Sequence, residues 1–175
     1  VPTLKVFRCT TSATAPQIAT AGSACFDLRA DLSENTFIDV FGQGLDNHKW
    51  LIGPKIGPHS GPSLILGPLQ RAKIPTGLVF DIPDGYSVRL HPRSGIALKQ
   101  GLTLINAEGV VDSDYVEEVC VAVVNISQEH ITVTPGDRIC QAELVKNVIT
   151  NLEEVIERPA RKTERAGGFG STGKK

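Results

Sequence analysis

What this sequence lacks most plainly is a dominant charge. Its 18 Lys and Arg residues face 19 Asp and Glu, a formal net charge of −1 over 175 residues. No basic field therefore draws the chain to nucleic acid or to an anionic membrane as its main partner, and neither is expected. No apolar run approaches the length that spans a bilayer, and no charged-then-apolar segment opens the chain. Methionine is absent and the chain starts at Val1, which fits a removed initiator or a trimmed chain. The four cysteines, Cys9, Cys25, Cys120 and Cys140, show no C-x-x-C spacing. Two of them lie in apolar, strand-like runs, so they read as reduced core thiols of a cytoplasmic protein rather than as a disulfide framework. His48, His59, His91 and His130 are scattered without ligand spacing, which argues against structural zinc. Internal repeats and coiled-coil heptads are missing too.

What is present is a series of short β-rich segments cut by turn residues, in a chain long enough for one domain with a real core. "TLKVFRC" opens it, "RAKIPTGLVFDIPDGYSVRLHP" reads as two strands around a Pro-Asp-Gly turn, and "YVEEVCVAVVNIS" alternates well. "HITVTPGDRICQAELV" supplies two more strands and "VITNLEEVIER" another. This spacing points to an all-β, jelly-roll-like sandwich or barrel. One short helix is expected in "RSGIALKQG", with Ser94 as N-cap and Gly101 at C′. Residues 36–69 carry repeated Gly-Pro punctuation and the only tryptophan, and read as an insertion or long hairpin on the surface, outside the active-site framework. The domain is expected over 1–158, with a flexible glycine-rich tail over 159–175.

The tail's G-F-G-S-T-G-K nearly matches a phosphate loop, but Lys175 stands where Ser or Thr should hold magnesium, and no helix follows. Four other stretches pair polar groups with tight turns. In "AGSACFDLRA", Asp27 sits between Phe26 and Leu28, either an edge or turn residue or a site acid. In "HPRSGIALKQG", Arg93, Ser94 and Gly95 meet a helix start, which suits either a phosphate site or an ordinary capped helix. In "NAEGVVDSDYVEE", Asp112 and Asp114 would face one side of an extended chain, followed by Tyr115, with Gly109 at a bend. That is either an acidic hairpin or a general base beside an aromatic cover. In "GDRICQAEL", Gln141 interrupts an apolar strand, to orient water or phosphate or to satisfy the core.

In their order, "AGSACFDLRA", "PRSGIALKQGL", "GVVDSDY", "GDRICQAEL" and "GGFGSTG" resemble the five motifs of the trimeric dUTP diphosphatases (dUTPases). The resemblance implies a jelly-roll-like homotrimer whose active sites are assembled from all three subunits. It implies Mg²⁺-dependent hydrolysis of dUTP to dUMP and pyrophosphate, which keeps uracil out of DNA and supplies dUMP for dTMP synthesis. By motif match, Asp112 falls on the water-activating aspartate and Tyr115 on the tyrosine under deoxyribose. Asn106, Gly109, Val110, Val111, Asp112 and Cys120 fall on the uracil pocket. Arg93, Ser94, Gly95 and Gln141 fall on phosphate and water contacts, Ser94 and Gln141 among the catalytic set. Asp27 falls on the acid near the metal's waters. In the tail, Arg165 falls on the phosphate clamp, Phe169 on the aromatic covering uracil, and Gly170 and Ser171 on the lid around them. The implied compartment is the cytoplasm, or the host-cell cytoplasm or nucleus for a viral chain.

Two departures stand out. Arg165 is followed by Ala166 before Gly167-Gly168-Phe169, one residue short of the family's last motif. After Tyr115, where the family has a residue and then glycine, Val116-Glu117-Glu118 adds charge. The dCTP deaminases share the fold but place a catalytic glutamate in the strand after the hairpin, and "CVAVVN" has none. A reading from another class is a nucleotide-gated regulatory protein whose partner surface is the 36–69 segment; pyrophosphate release from dUTP separates it from an enzyme.

Overall fold

Strand alternation decides this architecture, and the computed structural model describes residues 1–33, 36–42, 45–51, 62–106 and 108–164. Thirteen strands and one helix follow in order: β1 (Lys5–Arg8), β2 (Phe26–Arg29), β3 (Phe37–Gly42), β4 (Leu45–Leu51), β5 (Leu64–Leu66), β6 (Arg71–Pro75), β7 (Leu78–Asp81), β8 (Tyr86–His91), α1 (Ser94–Gln100), β9 (Leu102–Leu104), β10 (Gly109–Val111), β11 (Cys120–Asn125), β12 (Ile131–Val133) and β13 (Arg138–Lys146). The class is all-β and jelly-roll-like, as the alternation implies. A four-stranded sheet runs β10-β8-β13-β2 and a five-stranded sheet β4-β3-β6-β11-β9, with pairs β1-β7 and β12-β5 beside them. Every pairing among named strands is antiparallel.

The core lies where inward faces meet. Val121 and Val123 of β11, Ile74 of β6, Leu28 of β2 and Val88 of β8 are all without exposed surface. Phe26 and Phe80 pack edge to face with centroids 6.2 Å apart. Asn125 is the most deeply buried of the polar residues Asp31, Thr76, Ser87 and Asn125. Its amide donates to the Leu66 and Glu129 carbonyls, and its oxygen accepts from Ser127, so it is buried with partners.

Four expectations need correction. "RAKIPTGLVFD" is two strands, because Gly77 breaks it in the left-handed region at φ 66°. The Pro83–Gly85 turn exists, with Tyr86 N–H donating to the Pro83 carbonyl at 3.1 Å. It joins no hairpin, since β7 pairs with β1 while β8 pairs with β10 and β13. "VITNLEEVIER" forms no strand: it pairs with no strand among the described residues, and Ile149 and Leu152 stay 93% and 95% exposed. The 36–69 segment is not all surface. β3 sits inside the five-stranded sheet between β4 and β6, β5 pairs with β12, and Val40, Leu64 and Leu66 have no exposed surface. Residues 52–61 lie outside the described ones.

Candidate functional site

Both clusters of sequence-predicted residues ride on the four-stranded sheet. The first surrounds β10. Gly109 opens that strand opposite Leu90, and a side chain there would meet Leu90 Cβ at 3.0 Å and Asn106 Nδ2 at 3.3 Å, so those neighbours would have to give way by a few tenths of an ångström. The chain then turns, with Tyr115 N–H donating to the Asp112 carbonyl at 3.2 Å, and returns through Glu118 and Val119 into β11. The expected hairpin is absent here, since β10 pairs with β8 and β11 with β6 and β9. The cavity inside this turn holds about 470 Å³. Asn106, Gly109, Val110, Val111, Asp112, Tyr115 and Cys120, all singled out in the sequence, line it together. Lys73, Leu90, Glu117 and Glu118 also line it and were not singled out as site residues. Among the described residues β10 is an edge strand, paired only with β8, so its other row of backbone N–H and C=O groups faces no described strand.

The Asp112 side chain is exposed and has no hydrogen-bond or ion-pair partner among the described residues. Cys120 behaves oppositely. Burial, reinforced by Glu118, pushes its thiol up to about 11, so it stays a neutral, apolar wall at pH 7.

The second cluster gathers at the far edge of the same sheet. Gln141 of β13 stands opposite His91 on one side and Asp27 on the other. Arg93 therefore comes within reach of Asp27: its Nε donates to Oδ1 at 2.8 Å, while Arg138 donates to Oδ2 at 3.1 Å. Gln141 donates its amide to the Pro92 carbonyl at 3.0 Å, and its amide oxygen takes no bond from the described residues. Asp27, Arg93, Ser94, Gly95 and Gln141 line a second cavity of about 410 Å³. Arg138 was not singled out; an arginine opening an apolar strand just after the Gly136-Asp137 turn was the available signal. Beneath this cluster, burial pushes the Cys140 thiol up to about 12, with Asp27 adding to it and Arg93 opposing.

Ser94 does not cap the helix. Arg93 holds the N-cap position with no side-chain cap bond, and Ser94 is the first helical residue, exposed. Gly101 ends the helix in the left-handed conformation at φ 78°, as expected. Around Gly95 nothing stands within 4 Å of where a side chain would begin, leaving open space at the helix start.

The two cavities share no lining residue. They flank one sheet: β10 and β2 are separated by β8 and β13, three strand spacings or roughly 14 Å. His91 occupies a middle strand, 3.1 Å from Glu143 and 3.9 Å from Glu108. Among the described residues no group of three or more His, Cys, Asp or Glu forms a metal cage, and no helix is long and apolar enough to cross a membrane. Arg165, Phe169, Gly170 and Ser171 lie outside the described residues.

Known proteins carry the same pattern. A family model for dUTPase matches residues 60–173. The deoxyuridine 5'-triphosphate nucleotidohydrolase of Caulobacter vibrioides is 42% identical over 159 residues, covering 90% of this chain and 84% of the relative. That of Finegoldia magna is 43% identical over 123 residues, 69% of this chain and 84% of the relative. Among solved structures, the Staphylococcus bacteriophage 80alpha dUTPase with dUpNHpp superposes with a TM-score of 0.72 at 20% identity, covering 98% of both chains. A mutant dUTPase from phage phi11 of S. aureus, described with a structural Mg(II) ion, gives 0.65 at 19% identity over 89% of this chain and 97% of that one. At those identities the structural likeness speaks for the fold.

Proposed function

The chain belongs to the dUTPase family, and on that premise we propose that it hydrolyses dUTP to dUMP and pyrophosphate, using the cavity beside β10 for the nucleoside. The observation that carries the reading is the convergence of Asn106, Gly109, Val110, Val111, Asp112, Tyr115 and Cys120 on one cavity. The outward backbone groups of β10 offer a fixed pattern of donors and acceptors to a pyrimidine edge. Cytosine inverts that pattern and leaves buried groups unpaired, while a 5-methyl group has to fit against the cavity wall. Tyr115 supplies a flat face for the sugar.

Cleavage of the α–β phosphoanhydride needs a water in line with the phosphorus, neutralised phosphate charge and little bulk solvent. Asp112 takes the proton of that water, and its lack of competing partners among the described residues suits a base that must stay available. Arg93 and Arg138 meet phosphate oxygens, held in place by the Asp27 carboxylate between them. Gln141 orients water through its amide oxygen, and Ser94 adds a hydroxyl at the helix start.

Mg²⁺ keeps most of its waters and takes phosphate oxygens with one or two carboxylates. Asp27 fits as a partner of such waters: each oxygen accepts one guanidinium bond and retains further lone-pair capacity. The ion, when bound with substrate, would neutralise phosphate charge.

With the nucleoside cavity and the Arg93 cluster at opposite edges of one sheet, a homotrimer supplies the complete site: the phosphate cluster of one copy serves the nucleoside cavity of another. The tail from Pro159 onward serves as a lid, Phe169 stacking on the base, with Gly170 and Ser171 beside it and Arg165 toward phosphate. The test is pyrophosphate release measured side by side on dUTP, dTTP, dCTP and UTP. A marked preference for dUTP is expected; comparable release from dTTP overturns the pocket reading.

A further inference from the structure

Two observations converge on Glu118, a residue in the stretch where the sequence departs from its family. Its backbone carbonyl accepts the Tyr115 hydroxyl at 3.0 Å. Its side-chain Oε1 accepts the Gly77 backbone N–H at 2.7 Å. The residue thus holds the tyrosine at one end and a point on the β6–β7 break at the other, while itself lining the nucleoside cavity.

Gly77 is a rigid point. Its φ of 66° is left-handed, and a side chain there would meet Asp31 Oδ2 at 2.3 Å and Ala13 Cβ at 2.6 Å. Its carbonyl accepts from Cys9 N–H at 2.8 Å, so both its peptide groups are engaged. Next door, Val119 N–H donates to the Leu78 carbonyl at 2.8 Å and Thr76 Oγ1 to the Val119 carbonyl at 2.6 Å. Those neighbours secure the root of β11. Only the Glu118 side chain extends the clamp toward the loop, through a charge-assisted bond to a backbone amide. The exposed residues Asp114, Tyr115, Val116 and Glu117 have no comparable side-chain anchor in the described residues apart from the tyrosine hydroxyl itself.

We propose that Glu118 is a positioning residue that sets the Tyr115 ring against the sugar and thereby controls discrimination between deoxyribose and ribose. It rests on the reading of this cavity as a dUTP site. The Glu118 side chain is a carboxylate strut from the loop to Gly77.

The experiment compares kcat/KM on dUTP and UTP for the wild-type protein and for Glu118→Ala, Glu118→Gln and Tyr115→Phe. Glu118→Ala is expected to lower the dUTP-over-UTP ratio about tenfold or more, the scale of one lost charge-assisted bond, chiefly through KM for dUTP. Glu118→Gln keeps an oxygen for the Gly77 N–H and should recover most of the ratio. A merely structural role would depress kcat on both substrates and leave the ratio unmoved, and that result overturns the proposal. Should Glu118→Ala not fold, Tyr115→Phe cuts the same connection from its other end, and an unchanged ratio there overturns it equally. A wild-type protein without preference for dUTP overturns the functional reading itself; a wild-type preference retained in a folded Glu118→Ala variant overturns only the role of Glu118.

Discussion

Asp27 and Arg93 stand 66 residues apart in the chain, yet Nε meets Oδ1 at 2.8 Å. The sheet register makes the contact: Asp27 lies opposite Gln141, Gln141 opposite His91, and Arg93 follows two residues later. Arg138 takes the second oxygen, so one carboxylate aligns two guanidinium groups. Both partners of the Asp27–Arg93 pair keep about a quarter of their side-chain surface (27% and 22%), so solvent screens part of the attraction. Asp27→Asn is therefore expected to cost only about 1 kcal/mol of stability. Its effect on kcat/KM for dUTP should be larger, roughly 10–100-fold, as for a lost orienting partner in a metal–phosphate site. Thermal melts beside steady-state kinetics check this; a stability loss with unchanged kinetics would reduce Asp27 to a structural role.

Asp112→Asn removes the proposed base while leaving size and exposure unchanged. Binding of a non-hydrolysable dUTP analogue, followed by calorimetry, should stay within about tenfold of wild type. Turnover should fall by at least ~10²-fold, the low end for losing general-base catalysis. Near-normal turnover would remove Asp112 from the chemistry.

The legible part of the molecule was the part written in local pattern. Alternation in "CVAVVN" became β11, with Val121, Val123 and Asn125 facing inward. Gly101 ended the helix, and the residues from Asn106 to Cys120 converge on one cavity because a single short stretch of chain, turning between β10 and β11, carries nearly all of them. What was not legible depends on register. Nothing local says that Asp27 faces Arg93, or that Arg138 shares the carboxylate. Gly-Pro punctuation around 36–69 read as surface because turns outnumber apolar residues there, yet three apolar positions, Val40, Leu64 and Leu66, decide burial. The apolar residues of "VITNLEEVIER" mimic a strand, but a strand needs a partner, and the segment pairs with none among the described residues.

The thiols predict a pH dependence. Cys140 is raised from 9.0 to about 12 and Cys120 from 9.0 to about 11, both chiefly by burial. In the unfolded chain these thiols ionise near the ordinary value, while the folded protein keeps them protonated. The unfolded state then binds fewer protons than the folded one, so stability falls as pH rises, by at most about 1.4 kcal/mol per pH unit for each thiol. Their contribution is fully present below about pH 9 and lost on the way to pH 11–12. Denaturant melts between pH 8 and 10, ~one unit either side of the ordinary thiol value, should show a shallower decline in Cys140→Ala than in wild type. Equal slopes would mean the thiol is not held neutral by the fold.

Excising Asp39 through Gly67 is expected to abolish folding rather than trim a surface loop. The cut removes Val40, Leu64 and Leu66, each at 0% exposure, and with them the partner of β12. Leu66→Ala alone should cost about 2–5 kcal/mol, the range for a fully buried leucine. Urea titration of the point variant and circular dichroism of the deletion are the measurements. A folded, cooperative deletion variant would show that the core closes without β5.

The tail offers the sharpest test of a shared site. The last described strand, β13, ends at Lys146, and residues 147–164 form no strand or helix, so truncation after Ala160 removes no described strand or helix. Fold and assembly should survive it. Catalysis should not: the truncated chain lacks Arg165 and Phe169, and loss of one base–aromatic stack alone is worth about 1–3 kcal/mol. The geometry of the two cavities makes a further demand, because each copy would present nucleoside and phosphate clusters at opposite sheet edges. A lid supplied by a neighbouring copy can then be detected by complementation. Tail-deleted protein keeps Asp112 but has no lid, whereas Asp112→Asn protein keeps the lid but has no base. Mixed under conditions that let subunits exchange, the two should recover part of the dUTP hydrolysis that neither shows alone, since some sites combine an intact Asp112 with a neighbour's intact tail. Exchange itself is followed independently, by mass spectrometry of mixed assemblies. Verified exchange with no recovered activity would mean that each tail closes over its own subunit's cavity.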